Sequence, residues 1–109
     1  VLDRLPWVAK ANCVYWGDLD THGFAILNRA RSYLPELKSV LMDEATLRSH
    51  QGLWVEEKDQ HAAETLPLLT DPERTVYQAI KRNAWGQNVR LEQERIAWDV
   101  AWKTLQQAV

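Results

Sequence analysis

The sequence predicts an α/β domain, a parallel sheet with flanking helices, and three observations carry that reading. A short β-branched and aromatic run, Val14, Tyr15 and Trp16, stops at Gly17, as a buried strand does at its exit turn. Apolar residues then recur at helical spacing through 21–33, the pattern of an amphipathic helix. A second strand candidate, Lys38 to Met42, follows after Pro35. Strand, helix and strand joined by such short connections form a right-handed crossover, which leaves the two strands parallel.

Taken in order, residues 2–10 place Leu5 and Val8 or Ala9 at helical spacing and read as a short helix, with Pro6 tolerated only in its first turn. After the first strand, Asp20 or Thr21 caps the helix that runs to about Tyr33. Its apolar face is Phe24, Leu27, Ala30 and Leu34, and Pro35 ends it. Beyond the second strand Asp43 caps a short helix through Arg48. Residues 51–65 lose all periodicity and are mostly polar, so they read as a loop. Thr70 and Glu73 then form a capping box around Pro72. The helix they open continues through Val76, Ile80 and Asn83 and breaks at Gly86. From Glu92 a last helix puts Trp98, Trp102, Leu105 and Val109 on one stripe.

Two strands are few for an open sheet. Either Trp54-Val55 or Val89-Arg90-Leu91 adds a third, or chain beyond this sequence completes the sheet. With Val1 in place of Met, the expectation is a single domain over 1–109, a C-terminal fragment of a longer protein, truncated at the N-terminal side of its sheet. Trp7 and Trp54 are then expected to pack against the missing part.

With 46% hydrophobic and 26% charged residues, the 109-residue chain should fold rather than stay disordered. A formal charge of −2 provides no long-range attraction for nucleic acid, so any DNA contact must be local or cation-assisted. The lone cysteine, Cys13, excludes an internal disulfide framework and fits a reducing, cytoplasmic setting. No segment approaches the roughly 18 continuous apolar residues of a membrane span, and no basic-then-apolar leader opens the sequence. Sheet edges exposed by truncation favour self-association as a homodimer.

The chemistry concentrates where the first strand ends, at Gly17-Asp18-Leu19-Asp20-Thr21-His22-Gly23-Phe24. On an extended chain, side chains two apart point the same way. Asp18 and Asp20 can therefore converge on one point at the carboxyl end of a strand, where ligands gather in parallel sheets. Two adjacent anions repel unless a positive charge sits between them. A hard divalent cation, held by one or two carboxylates and open to phosphate oxygens, is the usual solution. Helix capping is the competing role for such a pair. Gly17 and Gly23 flank the carboxylates and leave room for close backbone approach. A phosphotransferase of the haloacid-dehalogenase type also begins with strand-then-D-x-D. It requires threonine or valine two residues after the second aspartate, where His22 stands here.

The segment from Gly17 to Phe24 resembles the D-x-D-x-x-G stretch of Toprim domains, the catalytic fold of topoisomerases, primases and related nucleases. The likeness is strongest to the topoisomerase VI A-subunit branch. Within that branch the chain resembles the C-terminal domain of the JetD nuclease subunits of Wadjet plasmid-defence systems. Further matching segments are Leu41-Met42-Asp43-Glu44-Ala45-Thr46-Leu47, Leu68-Leu69-Thr70 with Glu73, and Arg90-Leu91-Glu92-Gln93-Glu94-Arg95-Ile96. The resemblance implies a Toprim-like, Rossmann-like fold and Mg²⁺-dependent cleavage of DNA phosphodiesters, with Mn²⁺ able to substitute. It also implies DNA and the other, condensin-like Wadjet subunits as partners. Asp18 and Asp20 match the family's two metal-binding aspartates; the family's glutamate, from an earlier strand, has no counterpart before Tyr15.

His22 is then a catalytic candidate, as proton shuttle or phosphate donor, or else a first-turn residue that fixes the loop. Asp43, Glu44, Glu92 and Glu94 are accessory ligand candidates whose alternative is to stabilise helix N-termini. Arg90 and Arg95 are candidates for phosphate contact, or ordinary solvated arginines. Tyr15, Tyr33 and Tyr77 show no setting for a nucleophile, which favours hydrolysis by water. His50 and His61 read as surface residues. The alternative function is a non-catalytic DNA- or protein-interaction module that retains an incomplete Toprim metal site.

Overall fold

The computed structural model describes residues 14–96, 103, 104, 106 and 107. Among these residues it shows a small α/β domain with two two-stranded sheets, one of them parallel, and three α-helices before residue 97; residues 103, 104, 106 and 107 are helical as well. The expected helix over 2–10, Trp7, Cys13, and the stripe of Trp98, Trp102, Leu105 and Val109 lie outside the described residues.

The crossover forms as its apolar pattern dictates. Strand β1 (Val14–Tyr15) leads into helix α1 (Thr21–Tyr33), which returns to strand β2 (Lys38–Ser39), and the two strands pair in parallel, Val14 with Lys38 and Tyr15 with Ser39. Strand β2 is shorter than the strand expected over 38–42. After Val40, whose N–H still donates to the Tyr15 carbonyl, Leu41 turns to a φ of 58°, and left-handed backbone cannot continue a strand. Helix α2 (Glu44–Ser49) then starts from its Asp43 cap as expected.

The segment over 51–65 is not all loop. Strand β3 (Val55–Glu56) lies within it and pairs antiparallel with strand β4 (Val89–Arg90). The two stretches expected to compete for third place in one sheet thus pair with each other and build a second sheet. Between them runs helix α3 (Asp71–Lys81), where Glu73 accepts from the Thr70 N–H in the expected capping box. It ends sooner than its pattern implies: Arg82 is the cap, and Asn83 adopts a φ of 56°, three residues before Gly86. No α-helix starts at Glu92 either. Residues Gln93–Arg95 form a single 3₁₀ turn, and Ile96 is extended again.

The core gathers between α1 and α3. Phe24, Leu27 and Ala30 of α1 face Val76, Tyr77 and Ile80 of α3, all buried, and Phe24 meets the Tyr77 ring edge-on at 6.2 Å. Each large apolar side chain so buried is worth about 1.5–3 kcal/mol. Trp54, expected to face a missing partner, instead packs on this core and donates from its indole to the Leu47 carbonyl. Among the described residues no helix is long and apolar enough to cross a membrane.

One polar contact crosses this core. Arg31 stands on the inner face of α1, and its guanidinium donates to the Leu37 and Leu68 carbonyls and to both oxygens of Glu73, at 2.7 and 3.2 Å. Glu73 also accepts from Ser39 and Thr70, so one buried carboxylate ties α1, β2 and α3 together. Burial pushes the Glu73 carboxyl up, but the bonds from Arg31, Ser39 and Thr70 outweigh it and hold it below the ordinary 4.5. A carboxylate depressed in the folded state contributes stability that is complete above its unfolded value and lost as pH falls through the folded one. Replacing Arg31 with Met should therefore cost about 3–5 kcal/mol, since it strands a buried charge. In urea melts across pH, Arg31→Met should also flatten the loss of stability below pH 4.5 that the wild-type protein shows.

Candidate functional site

The parallel sheet delivers its acidic pair to the seam with the second sheet. Leu19 and Leu91 form an isolated antiparallel bridge, with N–H to carbonyl distances of 2.8 and 3.1 Å in the two directions. Both side chains are fully buried. Alternation along each strand then sends their sequence neighbours to the opposite face. Asp18 and Asp20 from one strand, and Arg90 and Glu92 from the other, therefore emerge on the same face, away from the buried leucines.

The four meet there. Oδ2 of Asp18 and Oδ2 of Asp20 each lie 3.2 Å from the Arg90 guanidinium, and Glu92 approaches it at 3.7 Å. The remaining oxygens are taken by backbone amides: Asp18 Oδ1 accepts from Gln93 N–H, and Asp20 Oδ1 accepts from Gly23 N–H as the cap of α1. Each aspartate thus does both things its sequence allows, one oxygen fixing the loop and the other aimed at a shared cation. Burial pushes the Asp20 carboxyl up to about 6; the Gly23 amide and Arg90 oppose this, while the charges of Glu57 and Asp18 add to it. Ionising Asp20 therefore costs the fold stability, a cost absent below 3.8 and complete above about 6.

Glu57 is the residue that pattern reading missed. It follows β3 inside the segment expected to be a loop, and its side chain is 2% exposed. Its carboxylate accepts from the Thr21 N–H, the Thr21 hydroxyl and the His22 N–H. With Asp20 on the Gly23 amide, the first turn of α1 has its free donors satisfied by two carboxylates. The one signal in the sequence was an acidic pair, Glu56-Glu57, directly after Trp54-Val55, the same strand-then-carboxylate grammar as at Asp18.

His22 is half exposed, and its Nε2 lies 2.7 Å from the Asp59 carbonyl. A carbonyl only accepts, so Nε2 carries the hydrogen, and in the neutral ring Nδ1 is the acceptor. His61, read as surface, is partly buried and stacks edge-on against His22 at 5.6 Å. Asp18, Asp20, His22, Glu57 and Arg90 line an open cleft of about 1080 Å³, together with Tyr15, Glu92 and Glu94. The Tyr15 hydroxyl donates to the Gly23 carbonyl, and burial pushes its ionisation further up from the ordinary value. Asp43 and Glu44 do not reach the cleft: Asp43 caps α2 at the Thr46 amide, and Glu44 pairs with Arg48. Arg95 is exposed on the 3₁₀ turn and does not line the cleft.

The donor set suits a hard cation in kind, with two carboxylate oxygens converging and the cleft open to further oxygen ligands. In arrangement, among the described residues no three carboxylate, imidazole or thiolate groups are set around one point as a metal cage. The position between the aspartates belongs to Arg90.

A strand-end acidic pair, backed by a buried glutamate and facing an open cleft, defines this as a small α/β domain with a paired-carboxylate site. The chain belongs to the family described as Wadjet protein JetD, C-terminal, whose model matches residues 1–105. No curated protein matches the chain.

Gly23 is the backbone element on which this geometry rests. A Cβ built there would fall 2.0 Å from the Asp18 carbonyl oxygen and 3.1 Å from Asp20 Oδ1. Alanine ordinarily stabilises a helix by about 1 kcal/mol over glycine. Here Gly23→Ala should have the opposite sign and destabilise by about 1–3 kcal/mol through overpacking. Thermal melts of Gly23→Ala beside Gly52→Ala, whose added Cβ meets nothing within 4 Å, check that sign directly.

Proposed function

We propose that this domain carries the catalytic acidic pair of a Mg²⁺-dependent DNA endonuclease acting in Wadjet plasmid defence, with Mn²⁺ able to substitute. The observation that carries the reading is the convergence of Asp18 Oδ2 and Asp20 Oδ2 on a single cation, each at 3.2 Å. Family membership supplies the Wadjet context. When bound, magnesium supplies Lewis-acid polarisation of the phosphate and neutralises charge that develops on it.

The chain's own residues divide the remaining work. Asp18 and Asp20 would hold the ion, and their second oxygens, fixed by the Gln93 and Gly23 amides, keep both carboxylates from turning away. Glu57 holds the first turn of α1, and so the backbone of the Asp20 loop, in place. His22, with Nε2 donating to Asp59, has Nδ1 available to accept a proton from an attacking water. Arg90 offers a planar fork for a phosphodiester. The cleft lining holds five carboxylates, Asp18, Asp20, Glu57, Glu92 and Glu94, against the single guanidinium of Arg90. Such a surface repels a polyanion, so DNA needs a cation to enter. DNA and the condensin-like Wadjet subunits are the proposed partners.

A second reading has a specific observation behind it. Arg90 already neutralises the acidic pair, as expected of a non-catalytic interaction module that has kept the shape of a metal site. Plasmid nicking by the intact protein separates the two. The nuclease reading expects cleavage that needs Mg²⁺ or Mn²⁺ and falls roughly 100- to 1000-fold in Asp18→Ala and Asp20→Ala, the scale on which removing one electrostatic stabiliser acts. Nicking that survives both substitutions unchanged assigns the chemistry elsewhere and leaves this domain as the module.

A further inference from the structure

Two carboxylates that share one cation can exchange it for another only if the first has somewhere to go. Arg90 is the resident cation, and its position is set by backbone rather than by chance. It closes β4, and the next residue, Leu91, is locked to Leu19 by two hydrogen bonds. The side chain is nevertheless one-third exposed, so the guanidinium lies in the wall of the open cleft rather than beneath it. Its hold on Asp20 is also poorly aligned: Nε is 3.2 Å from Oδ2 yet makes no directed hydrogen bond. Glu92, at 3.7 Å, competes for the same guanidinium.

We infer that Arg90 is a displaceable counter-ion that makes metal binding at Asp18 and Asp20 depend on phosphate: it keeps a divalent cation out until a phosphodiester gives the guanidinium another anion to hold. The inference rests on the magnesium reading above and adds regulation to it. A bare divalent ion arriving at the pair must expel a guanidinium whose other nearby anion is Glu92, and it leaves like charges facing each other. A phosphodiester removes that obstacle, since it accepts two parallel N–H bonds from the arginine fork and brings the negative charge the displaced group lacks. Metal and nucleic acid then bind with positive coupling. By linkage the coupling is reciprocal, so each ligand tightens the other by the same factor. The acidic cleft makes the dependence run both ways, because DNA is repelled until cations neutralise the wall.

Calorimetric titration of Mg²⁺ into the intact protein tests this, with and without a short phosphorothioate DNA duplex that resists hydrolysis. In the wild-type protein Mg²⁺ should bind weakly alone and about tenfold more tightly with the duplex, within the roughly 5- to 150-fold span of coupled sites. In Arg90→Gln it should bind tightly alone, and the duplex should change its affinity by less than about twofold. Arg90→Lys keeps the charge without the fork and should fall between the two. Thermal melts establish that each variant is folded, and the wild-type and Arg90→Lys pair decides the question if Arg90→Gln is not. Equal Mg²⁺ affinity in all three proteins, or equal tightening by the duplex, overturns the counter-ion role and leaves the magnesium reading standing. Absence of Mg²⁺ binding in every protein, with and without duplex, overturns that reading and this inference together.

Discussion

Two hydrogen bonds between the backbones of Leu19 and Leu91, 2.8 and 3.1 Å long, join the parallel half of the domain to its antiparallel half. Because both side chains are buried, the strand alternation on either side of them is no longer free. Asp18 and Asp20 must face the cleft, and so must Arg90 and Glu92. A one-residue slip at this bridge would bury carboxylates and expose leucines. The apolar core therefore sets the register of the charged site.

The electrostatics follow from that enforced meeting. Two charges about 4 Å apart interact with about 4 kcal/mol at the effective dielectric near a protein surface, so the carboxylates cannot share a loop without an answering cation. The structure answers twice. Backbone amides take one oxygen of each aspartate, and Arg90 takes the other two. Even so, the Asp20 carboxyl is pushed up to about 6, with burial as the largest cause. The buried Arg31–Glu73 contact has the opposite balance: every nearby group favours the ionised pair, and Glu73 is held below its ordinary value. The second arrangement stabilises the fold. The first keeps charge under tension in the wall of the open cleft.

Much of the fold was legible where local signals and tertiary packing agree. The 21–33 helix, the Asp43 cap and the Thr70–Glu73 capping box were all read from adjacent residues, and of the two candidate caps for that helix, Asp20 and Thr21, the structure takes Asp20. The parallel pairing of the first two strands followed from the short crossover between them. What was not legible is the segment over 51–65. It is held by hydrogen bonds between distant partners: Glu57 to the first turn of α1, the His61 N–H to the Thr21 hydroxyl, and Lys81 and Gln60 bonding between this segment and α3. Polar residues so engaged have no periodicity, and in sequence they resemble a solvated loop. The same holds for Arg31, whose place on a buried helix face would ordinarily belong to an apolar side chain.

The sequence by itself determined that this chain carries a βαβ crossover ending in two carboxylates that point the same way. Strand alternation, the flanking Gly23 and the helix cap are local constraints written in neighbouring residues. It also determined the family, through strings spread from Gly17 to Ile96 that the family match spans. Only the tertiary structure decided what stands between those carboxylates. Arg90 is 70 residues beyond Asp20, and it arrives there because β4 pairs with a strand hidden in a polar stretch and Leu91 docks on Leu19. The pairing of distant strands depends on burial of the whole core. No local pattern encodes it, and so the cation at the centre of the site could be seen only in the folded molecule.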